Sequence, residues 1–177
     1  MKYVILQGDG MADDPIQALG GKTPLQAAST PHMDWLASHG AFGLAHTIPE
    51  GFPPGSDVGN MSILGYDPAR YHTGRSPLEA ASMGVSLGPQ DIVFRCNLVT
   101  LREVGDDSIM EDFTAGHISS GEAGEIVEDL NRHLGGEGIE FHPGVSYRNL
   151  MVWRGGMEGM TTTPPHDITD QKIRTYL

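Results

Sequence analysis

Apolar and polar positions follow one pattern up to about residue 90 and another beyond it. Tyr3-Val4-Ile5-Leu6-Gln7 is a continuous run closed by Gly8-Asp9-Gly10, which predicts a short buried strand. Two helical stretches follow, opened by Thr23-Pro24 and Thr30-Pro31, with threonine as the predicted N-cap and proline at the first helical position. In the second, Met33, Leu36 and Ala37 share a face and Gly40 ends the run. Residues 41–46 read as another strand, 47–56 as a loop rich in proline and glycine, and 57–64 as a short helix stopped at Gly65. Ser76-Pro77-Leu78-Glu79 has the form of a capping box, predicting a helix over 77–83 with Gly84 behind it.

After Gly88-Pro89 the alternation shortens. Residues 92–101 predict a strand, Gly105-Asp106-Asp107 a turn, and 108–113 the returning strand. Ser119 and Glu122 form a second capping box, starting a helix that runs to about Leu134 before Gly135-Gly136. Further strands are expected around 139–141 and 149–153. The predicted fold class is α/β over residues 1–89, followed by a small α+β unit over 90–177.

Charge narrows the partners. The 177 residues carry a net charge of −12, with only 11 lysines and arginines. Such a balance repels phosphate backbones and anionic lipid, so neither nucleic acid nor a membrane is expected as partner. An acidic protein acting on phosphate esters would need divalent cations or a few placed arginines. Cys96 is the single cysteine, so no internal disulfide is possible. Met1 leads into the first strand-like run without a basic and apolar leader, and no stretch reaches the ~20 apolar residues of a span. A cytoplasmic location is expected.

Several residues could carry chemistry. Gly8-Asp9-Gly10 fails the dinucleotide pattern, because its third glycine would fall at Asp13. Asp9 itself, at the end of a first strand, sits where open α/β sheets place ligands and is a hard oxygen donor; the competing reading is a turn aspartate. Pro53-Pro54-Gly55 delivers Ser56 to a helix start, where free N–H groups favour an anion. Ser56 is then a candidate nucleophile or a plain N-cap, and no G-x-S-x-G elbow surrounds it. His72, His117, His142 and His166 lie in apparent loops without metal-ligand spacing, and Arg75, Arg95 and Arg148 could bind phosphate or carboxylate.

These segments share an order with a known family. Gly8–Asp13, Gly21–Leu25, Thr30–Asp34, Pro54–Asn60, Leu64–Pro68 and Gly74–Ala80 resemble the archaeal-type 2,3-bisphosphoglycerate-independent phosphoglycerate mutases. The resemblance implies an alkaline-phosphatase-like core, here partial, followed by a cap (insertion) domain. It implies two divalent ions, manganese first with Mg2+, Zn2+ or Co2+ as alternatives, and no 2,3-bisphosphoglycerate. Asp9 matches a metal-ligating aspartate, and Ser56 the nucleophile that contacts the same ion. Asp112–His117 is similar to a cap segment whose histidine faces the substrate phosphate, which makes His117 a candidate. Phe94–Thr100, Tyr147–Asn149 and Pro164–Ile168 also look like family segments. They place Arg95, Asn97, Arg148, His166 and Asp167, together with Arg75, in the expected substrate site.

The resemblance also implies further metal ligands in a C-terminal half that this sequence does not contain. A fragment is therefore expected, inactive alone, whose partner is the missing half of the same protein. Its expected substrate is a small phosphorylated carboxylate, 3-phosphoglycerate exchanging with 2-phosphoglycerate in glycolysis. A phosphotransferase on the same scaffold, such as a homoserine kinase, and a non-catalytic binding module are the alternatives.

Overall fold

The computed structural model describes residues 1–8 and 10–177. The chain divides into two units, Met1–His46 and Thr47–Leu177. In the first, a bridge between Ile16 and Lys22 closes a tight turn around a 3-10 segment at Gln17–Leu19. Helix α1 (Pro24–Ala27) carries a full capping box: Thr23 Oγ1 accepts from Gln26 N–H (3.2 Å) and Gln26 Oε1 from Thr23 N–H (2.9 Å). Helix α2 (Pro31–His39) also starts on its proline, but Thr30 does not cap it. The Thr30 hydroxyl donates to the Asp34 carboxylate at 2.9 Å instead.

The two strands expected in this unit do not form. Residues 3–7 and 41–46 join no ladder among the described residues. Leu6 and Phe42 remain 87% and 89% exposed. A strand exists only where a neighbour takes its N–H and C=O groups, and an apolar run alone supplies no such neighbour. No described residue of Met1–His46 is buried.

In the second unit, α3 (Ser56–Ile63), α4 (Pro68–Tyr71) and α5 (Arg75–Ser82) precede two antiparallel sheets. Asp67 caps α4 by accepting from Ala69 N–H at 3.0 Å. The expected capping box of α5 is absent: Gly74 is the N-cap, at φ +114°, and the helix begins two residues before Pro77. Glu79, which would have closed the box, turns to Arg75 Nε at 3.0 Å and to Arg95 Nε at 3.3 Å. An available guanidinium outcompetes a backbone N–H for a carboxylate.

Strands β1 (Ile92–Asn97), β4 (Ile139–Val145) and β5 (Arg148–Trp153) form one sheet in the order β1-β5-β4. The central strand is the best buried, with Asn149 and Leu150 at 1% exposure and Val152 at 0%. Strands β2 (Thr100–Val104) and β3 (Asp107–Asp112) form a separate hairpin turned at Gly105-Asp106, where φ is +63° at the glycine. The single strand expected over 92–101 thus breaks in two: Leu98 N–H donates to Tyr147 O (2.9 Å), and the chain then leaves for the hairpin.

Helix α6 (Ser120–Leu134) realises its predicted box, with Ser119 Oγ accepting from Glu122 N–H and Glu122 Oε2 accepting from Ser119 N–H, each at 3.3 Å. It buries Ala123 and Val127, and Asn131 Oδ1 takes the Phe141 N–H on the outer edge of β4 (3.0 Å). Residues near the end of the chain lie along β3, where Met110 N–H donates to Gln171 O and Asp170 N–H to Met110 O. Two connections meet at Arg154, just past β5. Its guanidinium donates twice to Glu140 (2.9 and 2.7 Å), once to Asp91 (2.7 Å) and once to Ser86 O (2.8 Å). Asp91, just before β1, also accepts from Gly88 and Gly155 N–H.

Candidate functional site

Ser56 is the first residue of α3, one position inside Gly55, and Gly55 offers no side-chain cap. The competing N-cap reading of Ser56 is therefore excluded by geometry. Its residue is exposed, and among the described residues its hydroxyl makes no hydrogen bond. At this position the first helical N–H groups lack intrahelical acceptors, which suits an oxyanion or a phosphate. The neighbouring Asp57 is not free to act as a base. Its Oδ2 lies 2.7 Å from His72 Nε2, and the His72 ring stands edge-on to Phe52 at 6.0 Å. Burial opposes ionisation of Asp57, but hydrogen bonds from His72 and from the Asp57 and Val58 N–H groups outweigh it and hold the carboxyl below its usual range. Gly59 is buried against Ile48, so α3 is fixed to the preceding loop on the other side. Asp9 lies outside the described residues.

Six of the seven remaining candidates fall along one series of contacts and strand neighbours in the second unit. Glu79 joins Arg75 to Arg95. Arg95 and Asn97 alternate on one face of β1, and Arg148 is the cross-strand partner of Asn97. Arg148 donates to the Tyr147 hydroxyl at 3.0 and 3.2 Å. Phe113 packs edge-on against Tyr147 at 6.3 Å and against His166 at 5.9 Å, and His166 Nε2 is 3.4 Å from Asp167. No contact joins the His117 side chain to this series among the described residues; the residues just after it are tied to the hairpin turn beside Tyr147, where Ser146 donates its N–H to Ser120 Oγ and its hydroxyl to Ile118 O.

Two atoms in this series are buried without a hydrogen-bond partner among the described residues, Arg95 Nε and Asn97 Oδ1. Arg95 Nε is within ion-pair range of Glu79, but off the line that a hydrogen bond requires. A donor and an acceptor left over on one face of a strand suit a ligand that carries both. The structure does not bring Ser56 to this series: among the described residues no hydrogen bond or ion pair joins them. An open groove of about 910 Å³ between the start of α5, residues 87–94 and residues 156–160 contains none of the nine candidates. No group of three or more His, Cys, Asp or Glu gathers among the described residues.

Sequence reasoning missed the Asp57–His72 pair, the Asp112 turn and the Arg154 cluster. Only the Asp112 turn left a local trace, an aspartate two residues before a threonine and four before a glycine. His72 lies 15 positions from Asp57, and Arg154 reaches partners 14, 63 and 68 positions away.

A family model described as 2,3-bisphosphoglycerate-independent phosphoglycerate mutase matches residues 37–177. A Geobacter sulfurreducens protein described as a probable 2,3-bisphosphoglycerate-independent phosphoglycerate mutase is 58% identical over all of this chain, which spans 44% of that relative. The phosphoglycerate mutase of the same kind from Methanosarcina barkeri is also 58% identical, with the same coverage of 100% and 44%. Among solved structures, that of the PH0037 protein from Pyrococcus horikoshii is similar over 81% of this chain and 35% of its own, with a TM-score of 0.63 and 32% identity. The mixed helix-and-strand architecture and the ordered motifs agree with these matches, and the chain belongs to the 2,3-bisphosphoglycerate-independent phosphoglycerate mutase family.

Proposed function

We propose that this chain supplies the nucleophile and the substrate-binding cap of a metal-dependent phosphomutase that interconverts 3-phosphoglycerate and 2-phosphoglycerate. In this reading residues 1–89 form the first part of an alkaline-phosphatase-like core and 90–177 the cap. The observation that carries it is Ser56, exposed at the first position of α3 with its hydroxyl unclaimed. The names of the relatives favour this reading over a homoserine kinase or a binding module. As the chain spans 44% of those relatives, activity belongs to a longer protein that contains it. A cytoplasmic location is part of this proposal; among the described residues no helix is long and apolar enough to cross a membrane.

Ser56 gives up its hydroxyl proton as Oγ bonds to phosphorus and the bond from phosphorus to the 3-oxygen of the substrate breaks, and that oxygen takes up a proton. The freed glycerate then presents its 2-hydroxyl, whose oxygen loses its proton and bonds to phosphorus as the bond from phosphorus to Ser56 Oγ breaks, and Oγ takes up a proton again. Asp57, anchored to His72, holds the start of α3 rather than exchanging protons. Arg95, Asn97, Arg148, His117, His166, Asp167 and Arg75 orient the carboxylate and phosphate. Guanidinium groups spread the charge of the transferring group. Asp9 and Ser56 are oxygen donors of the kind a hard divalent cation takes, and would hold one of two ions, manganese first. In this reading the remaining ligands come from the rest of the longer protein; among the described residues no group of three or more His, Cys, Asp or Glu gathers. Bound divalent ions would supply positive charge to offset the charge of the transferring phosphoryl group.

Ser56→Ala in the full-length protein should retain less than about a hundredth of the wild-type rate while folding normally. Mass spectrometry of acid-quenched wild type should find phosphate on the peptide containing Ser56. A rate above that level, or phosphate on another residue, would remove Ser56 as the nucleophile.

A further inference from the structure

Asp112 ends β3, and its carboxylate turns back onto the loop that follows. Oδ1 accepts from the Thr114 N–H at 2.8 Å, and the Thr114 hydroxyl donates to Oδ1 and Oδ2 at 2.7 and 2.9 Å. Oδ2 accepts from the Gly116 N–H at 2.7 Å. Thr114, itself buried, accepts the His117 N–H at its carbonyl (3.1 Å) and hydroxyl (3.3 Å). The Thr114 side chain and the Thr114 and Gly116 N–H groups hold the Asp112 carboxyl below its usual range, so it is ionised wherever the protein is folded near neutrality.

The backbone this carboxylate holds is unusual. Ala115, Gly116 and His117 follow one another at φ +52°, +66° and +57°. Left-handed backbone crowds the Cβ of an L-residue, and such residues normally occur singly. A run of three persists only where its surroundings over-determine it, and such strain gathers at sites that must present a group. Here two of the three residues carry a Cβ, so glycine alone does not explain the run.

The strain is not there to satisfy His117 itself. That residue is exposed, and among the described residues neither ring nitrogen makes a hydrogen bond. On the far side, Ser146 fastens Ile118 and Ser120 to the hairpin turn that carries Tyr147 and Arg148. The imidazole is therefore mounted on a turn pinned at both ends, with its own chemistry left open. Phe113, between Asp112 and the turn, packs against Tyr147 and His166.

We propose that Asp112 is a positioning residue which, through Thr114 and Gly116, holds the left-handed turn that aims the His117 imidazole at the phosphorylated substrate. This rests on the reading of His117 as a substrate contact. Asp112 touches neither substrate nor reacting atoms, and acts only through the geometry of His117. Losing the carboxylate leaves the Thr114 and Gly116 N–H groups without their acceptor, and the turn relaxes toward right-handed backbone.

In the full-length protein, kcat and KM for 3-phosphoglycerate are measured for wild type, Asp112→Ala, His117→Ala and the double variant, with amide exchange of Gly116 and His117 followed on each. Asp112→Ala should lower kcat/KM about tenfold or more, mainly through KM, and the double variant should be no worse than His117→Ala. The two amides should exchange faster in Asp112→Ala. Asp112→Asn keeps an oxygen for Thr114 but loses the acceptor for Gly116, and should fall between wild type and alanine. If Asp112→Ala does not fold, Asp112→Asn takes its place in the cycle. Losses that multiply in the double variant, or an Asp112 variant with wild-type kcat/KM beside a damaged His117→Ala, overturn the proposal alone. A silent His117→Ala removes the substrate reading of His117 and the proposal with it.

Discussion

Met1–His46 and the segment from Ile92 to Trp153 are about equally rich in apolar residues, yet they use them differently. In the first, no described residue is buried, and Tyr3, Val4, Leu6, Phe42 and Leu44 face solvent. In the second, Met110, Ala123, Val127, Leu150 and Val152 lie in a core. What separates them is whether a hydrogen-bonding partner is present among the described residues; even β1 has one, in β5 at the other end of the segment. Strands β2 and β3, and β4 and β5, are joined by short turns, so each finds its neighbour within a few residues and closes a ladder at little entropic cost. An apolar run such as residues 3–7 has no such partner among the described residues. Apolar content selects what can be buried; the presence of a partner decides what is.

The sharpest test of this contrast is a pair of truncations at equally apolar side chains. Leu150→Ala, in the central strand, should cost about 2–5 kcal/mol in urea unfolding, whereas Leu6→Ala should change stability by less than about 0.5 kcal/mol. Equal losses would mean that residues 3–7 are packed in solution and that the two regions do not differ.

A smaller effect comes from a motif that both regions share. Capping boxes begin α1 and α6 with the same reciprocal bonds, but α1 has 4 residues and α6 has 15. Ser119→Ala should cost about 1 kcal/mol, because α6 is part of the cooperative core. Thr23→Ala should cost only a few tenths, since a single exposed turn contributes little to unfolding as a whole. Circular dichroism during chemical denaturation would separate the two.

How far the chain could be read in advance follows the same division. The capped helix after Ser119 and the hairpin around Gly105 were legible because cap, turn and periodicity all agree locally. The predicted strands at 3–7 and 41–46 failed because a strand is a property of two segments, of which the sequence shows one. The box at Ser76 failed because Glu79 had a distant competitor, Arg95, which no local pattern reveals. Within the candidate site, Ser56 could be placed at a helix start, but only the structure distinguishes the first helical position from the cap. The contacts that string Arg75, Arg95, Arg148 and His166 together pass through Glu79, Tyr147 and Phe113, none of which has a catalytic look in sequence.

The smallest effect expected is one of pH. The Gly88 N–H, the Arg154 guanidinium and the Gly155 N–H hold Asp91 below its usual range, and Arg154 does the same for Glu140. A carboxyl whose pKa is lower folded than unfolded contributes stability above its unfolded value, about 4, and loses it as pH falls through the folded value. The segment from Ile92 to Trp153 should therefore weaken in acid, and Asp91→Asn should flatten the slope of stability against pH below about 5. An unchanged slope would show that Arg154 holds its partners equally well when they are protonated. Met1–His46, with no carboxyl pair of this kind among its described residues, should show no comparable slope.

The Arg154 cluster also bears on how such a segment can be carried between proteins. The chain enters it at Asp91 and leaves it at Arg154, and those two residues share a hydrogen bond of 2.7 Å. A stretch of more than sixty residues whose two ends touch can be spliced into a surface loop of a host without pulling that loop apart. The same closure would let its ends be joined and the chain reopened at the Gly105 turn, provided the residues near 168–172 that lie along β3 are kept with it. In a segment closed in this way, changes can accumulate with little strain on whatever lies beyond its two ends.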